Sequence, residues 1–224
     1  YSKAEMTRAD IEAALKDHKA GAKLDLSQKS LNGLDLSGLD LSGVNFRAAR
    51  LNKAKLAGAK LDGAILDQAW LLEADLTGAA LKGAHAFATQ MQKIRADGAD
   101  FSGARVAGDL SGASLRGAIF DNADLSADMK NQSMGLMRAV LRSAILEGAK
   151  LRGAHLMSAD LRFAHAAGAD FTGADLRNAD AAGADLSGVL LRDAKTQGLD
   201  VDSARIDAAA EPALKDAQHL DRAL

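Results

Sequence analysis

Five histidines and thirty acidic side chains are what this chain offers for acid–base or metal chemistry. Imidazoles brought within a few ångströms of one ion would make a metal centre, and two facing carboxylates would make a general acid–base pair. The acidic residues recur at a fixed interval, as in Asp170, Asp175, Asp180 and Asp185. There is no cysteine, so neither a thiolate metal site nor a disulfide framework is available, and the redox compartment stays open. Glycines recur too, in stretches such as Leu56-Ala57-Gly58-Ala59. They return at every repeat rather than between one strand and one helix, so they do not form a phosphate loop. Whether any of these groups converge depends on the backbone that carries them.

That backbone has a period of five. Large apolar residues stand at Leu31, Leu36, Leu41, Phe46, Leu51, Leu56, Leu61, Leu66, Leu71, Leu76 and Leu81, with alanine two residues earlier from Ala49 to Ala79. On an α-helix five residues turn about 500°, so no apolar face would form. On a flat strand an odd period flips successive leucines to opposite faces. A bend inside every pentad resolves the conflict. In Ala74-Asp75-Leu76-Thr77-Gly78, Ala74 and Leu76 face one side of a short extended segment and Asp75 and Thr77 the other. Gly78 supplies the backbone freedom for the corner. A chain that turns the same way after each segment winds into a coil, and stacked coils bury a column of leucines. The expected class is an all-β solenoid.

The motif A-[D/N]-L-x-x, present as Ala74-Asp75-Leu76, Ala123-Asp124-Leu125, Ala159-Asp160-Leu161, Ala174-Asp175-Leu176 and Ala184-Asp185-Leu186, resembles the pentapeptide-repeat family. The resemblance covers about four fifths of the chain. It implies a right-handed quadrilateral parallel β-helix with four pentads per coil. At that spacing about nine coils make a rod roughly 40 Å long.

Three segments follow. Residues 1–21 are expected to form an N-terminal capping helix: Thr7 and Asp10 stand at capping-box spacing, Met6 and Ile11 at staple spacing, Ile11, Ala14, Leu15 and His18 share a face, and Gly21 is the stop. Residues 22–207 carry the repeat. Residues 208–224 are expected to form a second short α-helix, with Pro212 in its first turn and a stripe of Ala213, Ala217, Leu220 and Leu224. Both helices would cover the open ends of the column. The lane breaks twice. One residue is missing near 107–109, since Leu110, Leu115, Phe120 and Leu125 come one place early after Val106. The gap from Leu125 to Leu136 is one residue more than two pentads, so a loop or register break is expected near 126–135. A milder disturbance runs from His85 to Asp97, where Ala86, Met91 and Ala96 occupy the large lane.

With four pentads per coil, as the resemblance implies, His85 and His165 share a face four coils apart and His155 points away from both, so no metal site is expected. Asp170, Asp175, Asp180 and Asp185 point in four directions and form no dyad. No catalytic, cofactor-binding or metal site is therefore expected, and the chain reads as no enzyme. Some members of the family, notably the quinolone-resistance group, protect DNA gyrase by imitating duplex DNA. Here net charge is only −2, with 28 basic and 30 acidic residues, and Arg47, Arg116, Arg142, Arg152, Arg162, Arg177 and Arg192 stand among the acidic lanes. Mimicry of a polyanion is thus the alternative reading, and direct nucleic-acid binding is not expected.

Outward apolar residues point to a protein partner instead. Ile65, Trp70 and Leu72 fall near one corner with Phe87 one coil above. A second group comprises Ile119, Met137, Val140 and Ile145 beside the expected loop. The reading is a rigid, bacterial, non-enzymatic binding or structural module without cofactor, with protein partners of unspecified identity. A homodimer through a capped end and a place in a larger assembly are both compatible with it. No run has the length of a membrane span. The expected location is cytoplasmic, with periplasmic or exported placement left open because residue 1 is Tyr.

Overall fold

The computed structural model describes residues 3–17, 23–128 and 137–224. The expected Gly21 stop, the place of His18 on the first helix, Leu136 and most of the 126–135 segment lie outside the described residues. Each pentad makes one short flat side and one corner. At Leu51-Asn52-Lys53-Ala54 the Ala54 N–H donates to the Leu51 carbonyl at 3.0 Å, and Lys53 has φ 57°. A negative φ followed by a positive one closes a type II turn, which is why glycine recurs at this slot, as at Gly78 with φ 63°.

Successive coils pair in parallel at an interval of twenty residues: Asp25 with Asn45, Asn45 with Ile65, Ile65 with His85. Four pentads therefore complete one coil, and the rod has four faces. Face I runs from Asp25 to Lys195, face II from Ser30 to Gln218, face III from Asp35 to Arg205 and face IV from Asp40 to Leu190. The rungs repeat closely. On face III the Leu56 N–H reaches the Asp75 carbonyl at 2.6 Å, and the Asp75 N–H reaches back to the Ala54 carbonyl at 2.9 Å. The leucine lane and the alanine lane are both buried and form one continuous core. Burial of each leucine contributes about 1.5–3 kcal/mol, so the column is the main source of stability. At mid-height the lane widens to a stacked pair, Phe101 and Phe120, with centroids 4.7 Å apart.

Helix α1 (Arg8–Asp17) lies over the first coil. Thr7 and Asp10 exchange hydrogen bonds as a capping box, with Thr7 N–H to Asp10 Oδ2 at 2.8 Å and Asp10 N–H to Thr7 Oγ1 at 3.2 Å. Ile11 is buried in the core, and Met6 and Leu15 pack against it. Arg8 anchors the helix to the Asp35 and Ser37 carbonyls at 3.1 and 3.2 Å.

The other end differs from expectation. Residues 208–224 do not form an α-helix but turns with two 3-10 segments, Glu211–Leu214 and Leu220–Arg222. The coil competes for the tail's backbone and wins. Val201 N–H donates to the Gln218 carbonyl at 3.1 Å, and Leu224 N–H to the Ala204 carbonyl at 2.8 Å, which an α-helix would forbid. Leu214 fills the end of the core, Ala213, Ala217 and Leu220 pack partly against it, and Leu224 is exposed.

Candidate functional site

A rod with identical corners offers no distinctive place; this rod has one edge that departs from the pattern. Between faces I and II, three successive coils each turn the corner differently. Strand β1 (His85–Gln90) runs through it without a tight turn, and strand β2 (Arg105–Asp109) pairs with it in parallel from His85↔Arg105 to Gln90↔Asp109, with a register shift after Phe87. The advance from Arg105 to Asp109 is four positions instead of five, so the deletion expected near 107–109 falls on this edge. Gly108 presses against the Thr89 main chain so closely that a methyl group there would stand 2.4 Å from the Thr89 oxygen. The Thr89 side chain is buried and donates from Oγ1 to the Leu66 carbonyl at 2.9 Å.

One coil further, Asp124 is the face I residue and Val140 the face II residue. Sixteen residues separate them where five suffice. The expected break near 126–135 is thus an excursion of eleven residues from the corner, not the single extra residue that the leucine count suggested. The chain leaves at Asp128 and returns at Met137, held by Asp128 N–H to the Met137 carbonyl at 2.7 Å and Ala139 N–H to the Leu125 carbonyl at 3.2 Å. A groove of about 310 Å³ lies along the edge, lined by Thr89, Gln90, Gln92, Gly108, Asp109, Met137, Arg138 and Val140 among others. Its polar groups are tied: Gln92 Nε2 donates to Asp109 Oδ2 at 2.9 Å and Arg138 Nη1 to the Ser158 carbonyl at 3.1 Å.

Beside this edge stands the first apolar group. Trp70 pairs with Gln90 on face II, is 45% exposed, and has the Arg50 guanidinium 5.7 Å from its ring centroid. Ile65 is on face I. Phe87 lies at the corner between the two, its N–H bonded to Asp67 Oδ1 at 3.1 Å. Leu72 occupies the next corner, where its N–H takes Asn52 Oδ1 at 3.0 Å. Ile65, Leu72 and Phe87 are half-buried. The second group is not brought together. Ile119 is on face IV, Ile145 on face III and Val140 on face II, with Met137 leading into Val140. The eleven-residue excursion rotates everything after it by a different amount than a one-residue bulge would.

The same shift moves the histidines. His85 and His155 share face I, three coils apart or roughly 14 Å, and His165 lies on face III, contrary to the expected pairing of His85 with His165. Among the described residues no group of histidine and acidic side chains has the spacing of a metal site. Asp170, Asp175, Asp180 and Asp185 do point in four directions, on faces IV, I, II and III.

The parallel coils of twenty, the buried leucine column and the type II corners are the structural form of a pentad repeat. The family model of pentapeptide repeats matches eight copies, over residues 30–68, 89–127 and 154–193. The chain belongs to the pentapeptide-repeat family. Its fold is the right-handed β-helix of that family. Solved structures of similar proteins include HetL, a pentapeptide repeat protein involved in heterocyst differentiation regulation from the cyanobacterium Nostoc. It is 28% identical over 87% of this chain and 97% of its own, with a TM-score of 0.43. A pentapeptide repeat protein from the Arabidopsis thaliana thylakoid lumen is 29% identical over 50% of this chain and 76% of its own, with a TM-score of 0.31. QnrB1, a plasmid-mediated fluoroquinolone resistance protein, is 19% identical over 90% of this chain and 98% of its own in its trypsin-treated form, with a TM-score of 0.30. No curated protein matches the sequence.

In this pentapeptide-repeat chain the outward aspartates hold corners. Asp75 Oδ1 accepts from the Thr77 N–H at 3.1 Å and Oγ1 at 2.7 Å, and Asp185 Oδ1 accepts likewise from Ser187 at 3.0 and 2.6 Å. These bonds lower the Asp185 carboxyl below the usual carboxylate range; at Asp75 partial burial opposes the shift, and Thr77 and Arg95 outweigh it. The most perturbed carboxyl is Asp160 on face II. Burial would raise it, but Arg162 at 2.6 Å and Arg142 at 2.8 Å hold it at about 2. Arg138 stands 3.5 Å away on the far side. Such a group stays ionised and paired with its arginines at neutral pH.

Two exposed apolar side chains escaped the sequence reading. Phe163 is 57% exposed at a corner slot with φ 57°, and Leu190 is 53% exposed on face IV. Each carried a signal. Phe163 stands where the repeat places glycine or a small polar residue, and Val189-Leu190-Leu191 breaks the in–out alternation. No helix of the described residues is long and apolar enough to cross a membrane.

Proposed function

We propose that this protein is a non-enzymatic binding rod whose partner, another protein, engages the edge between faces I and II at mid-height. The observation that carries the reading is the coincidence on one edge of the three irregular coils with Trp70 one rung below. Elsewhere the corners repeat closely, and a partner has nothing to choose between them. An exposed tryptophan beside a groove is the kind of anchor on which protein interfaces concentrate binding energy. Thr89, Gln92, Asp109 and Arg138 of the groove are hydrogen-bonded within the rod, which suits recognition by shape. A second copy joined through a capped end, or a place as one subunit of a larger assembly, are forms of the same role.

The test compares Trp70→Ala with Phe163→Ala, an exposed aromatic side chain at a corner away from that edge. In quantitative pull-downs from the native host, a partner captured by the wild-type chain should be lost with Trp70→Ala and retained with Phe163→Ala. Equal capture by both variants refutes the site. The alternative, a gyrase modulator that imitates duplex DNA, is disfavoured by the pairing of acids with bases along the faces. Supercoiling by purified gyrase, unchanged by micromolar protein, removes it.

A further inference from the structure

The C-terminal end of the rod carries an incomplete rung. In every full coil two main-chain N–H groups of each side donate to the coil above, and one carbonyl accepts from it. On face IV these are Phe171 N–H to the Leu190 carbonyl at 2.8 Å, Gly173 N–H to the Arg192 carbonyl at 2.7 Å, and the Ala169 carbonyl from Leu190 N–H at 3.0 Å. At the last coil the tail supplies one or two such partners on each of three sides, leaving the Thr196 N–H, the Ala194 carbonyl and the Ser203 N–H without a main-chain partner among the described residues, and it supplies none on face IV. Gly198 N–H donates to the Asp216 carbonyl at 3.0 Å, Val201 N–H to Gln218 at 3.1 Å and Ile206 N–H to Leu224 at 3.1 Å. Face IV is left out. The Leu191 N–H, the Asp193 N–H and the Val189 carbonyl have no hydrogen-bond partner among the described residues. Beside them runs a slot of about 640 Å³. One wall is the open rung, Gly188 to Asp193, and the other is the tail at Asp207, Ala209, Ala210, Pro212 and Ala213. Leu190, half-exposed, stands at its lip.

We propose that this slot is a β-augmentation site that takes an extended segment of another protein, paired in parallel as the missing rung of face IV. The unpaired groups define the chemistry of the occupant. Donors two residues apart and an acceptor two residues before the first of them on the same edge are met by an extended main chain, which presents its own carbonyls and N–H at that spacing. The tail wall makes the opening a slot rather than a flat end, so one free strand enters where the blunt end of a second rod does not. The site is independent of the mid-rod edge.

The probe is a fluorescent peptide copying residues 168–177, which forms the face IV rung two coils' height below the empty one, and the readout is anisotropy with the full chain. Binding is expected at peptide concentrations below about 1 mM, an affinity suited to a few main-chain bonds. A methyl on the amide of the peptide residue that copies Asp170 blocks the bond to the Val189 carbonyl. It should weaken binding at least about tenfold, the range expected when a buried acceptor is left unmet. A methyl one residue later, on the amide that points away from the rung, should change it by less than about threefold. Ala209→Arg, at an exposed position of the tail wall, should block the slot while leaving thermal unfolding unchanged. Absent binding, or equal loss from both methylated peptides, overturns the proposal. A dimer in sedimentation that excludes the peptide assigns the slot to a second copy and overturns the choice of occupant.

Discussion

Replacing Gly108 by alanine should destabilise the rod far more than replacing Gly58, although both are glycines of the same repeat. A methyl group on Gly108 meets three main-chain atoms of Thr89, the oxygen at 2.4 Å, the nitrogen at 3.1 Å and the carbonyl carbon at 3.2 Å. Opening the closest contact to 3.0 Å needs a displacement of about 0.6 Å. Thr89 has little room to give, because it is buried and its hydroxyl holds the Leu66 carbonyl one coil below. Overpacking of this kind costs about 1–3 kcal/mol, and loss of the Thr89 hydroxyl bond adds about 1 kcal/mol, for a total near 2–4 kcal/mol. Gly58 has φ 64° with open space beyond it, so Gly58→Ala carries only the left-handed penalty of about 1 kcal/mol. The chain already places Ala48 at an equivalent corner with φ 54°. Urea unfolding with unchanged slope gives the two values, and amide exchange shows whether the loss centres on coils 85–109. If Gly108→Ala costs no more than Gly58→Ala, the close approach that defines the irregular edge is not a constraint, and the reasoning about that edge fails.

Asp160 should give the protein an acid-sensitive element. Its folded carboxyl is depressed to about 2 from an ordinary 3.8, so its contribution is full above about pH 4 and is lost as pH falls toward 2. That contribution is about 2 kcal/mol, and Asp160→Asn should flatten the acid limb of a stability–pH curve between those values. Phe120→Ala should cost about 3–5 kcal/mol in thermal or urea unfolding, because it removes half of the stacked pair with Phe101 inside a core that cannot collapse around the gap. Trp70 is the only tryptophan, so its emission reports the proposed interface directly: a blue shift on adding the captured partner supports burial there, and an unchanged spectrum counts against it.

The period of five was enough to demand a corner per pentad and an internal leucine column, because no straight element tolerates that spacing. The number of pentads per coil was not legible in the residues; it came with the family resemblance, and the twenty-residue pairing Asp25↔Asn45 bears it out. Two readings failed for identifiable reasons. Counting leucines across the second break measured phase within the repeat but not the number of whole pentads looped out. The true advance from Asp124 to Val140 therefore stayed hidden, and with it the faces of Val140, Ile145, His155 and His165. Pro212 and the stripe of Ala213, Ala217, Leu220 and Leu224 favoured an α-helix at the C-terminus, but local helical preference is worth only tenths of a kcal/mol per residue. Unpaired rungs of the last coil offer the tail stronger partners, and Gln218 and Leu224 take them. The signal for the candidate edge was nevertheless present. The deletion near Gly108 and the break after Leu125 lie about one coil apart, which puts both on the same corner of a four-sided rod.

The charge pattern favours the proposed rod read by its shape over one read by its field. Residues twenty apart stand on adjacent rungs about 4.8 Å from each other, so a sequence that alternates sign at that interval neutralises itself. This chain does so repeatedly. Lys55 pairs with Asp35 and Lys60 with Asp40, each at 3.7 Å, and Arg95 pairs with Asp75 and Arg105 with Asp124 in the same way. Arg152 reaches Asp170 at 2.6 Å from the rung below. Each exposed pair is worth little to stability, but together they cancel the potential a few ångströms from the surface. Three aspartates do stack on face II, Asp160, Asp180 and Asp200, but Arg162 meets the first two and His219 the third. On the reading proposed above, recognition falls to the features that do not repeat: an indole above a guanidinium, a glycine pressed onto a threonine, and the corner that the chain leaves at Asp128, all beside one edge.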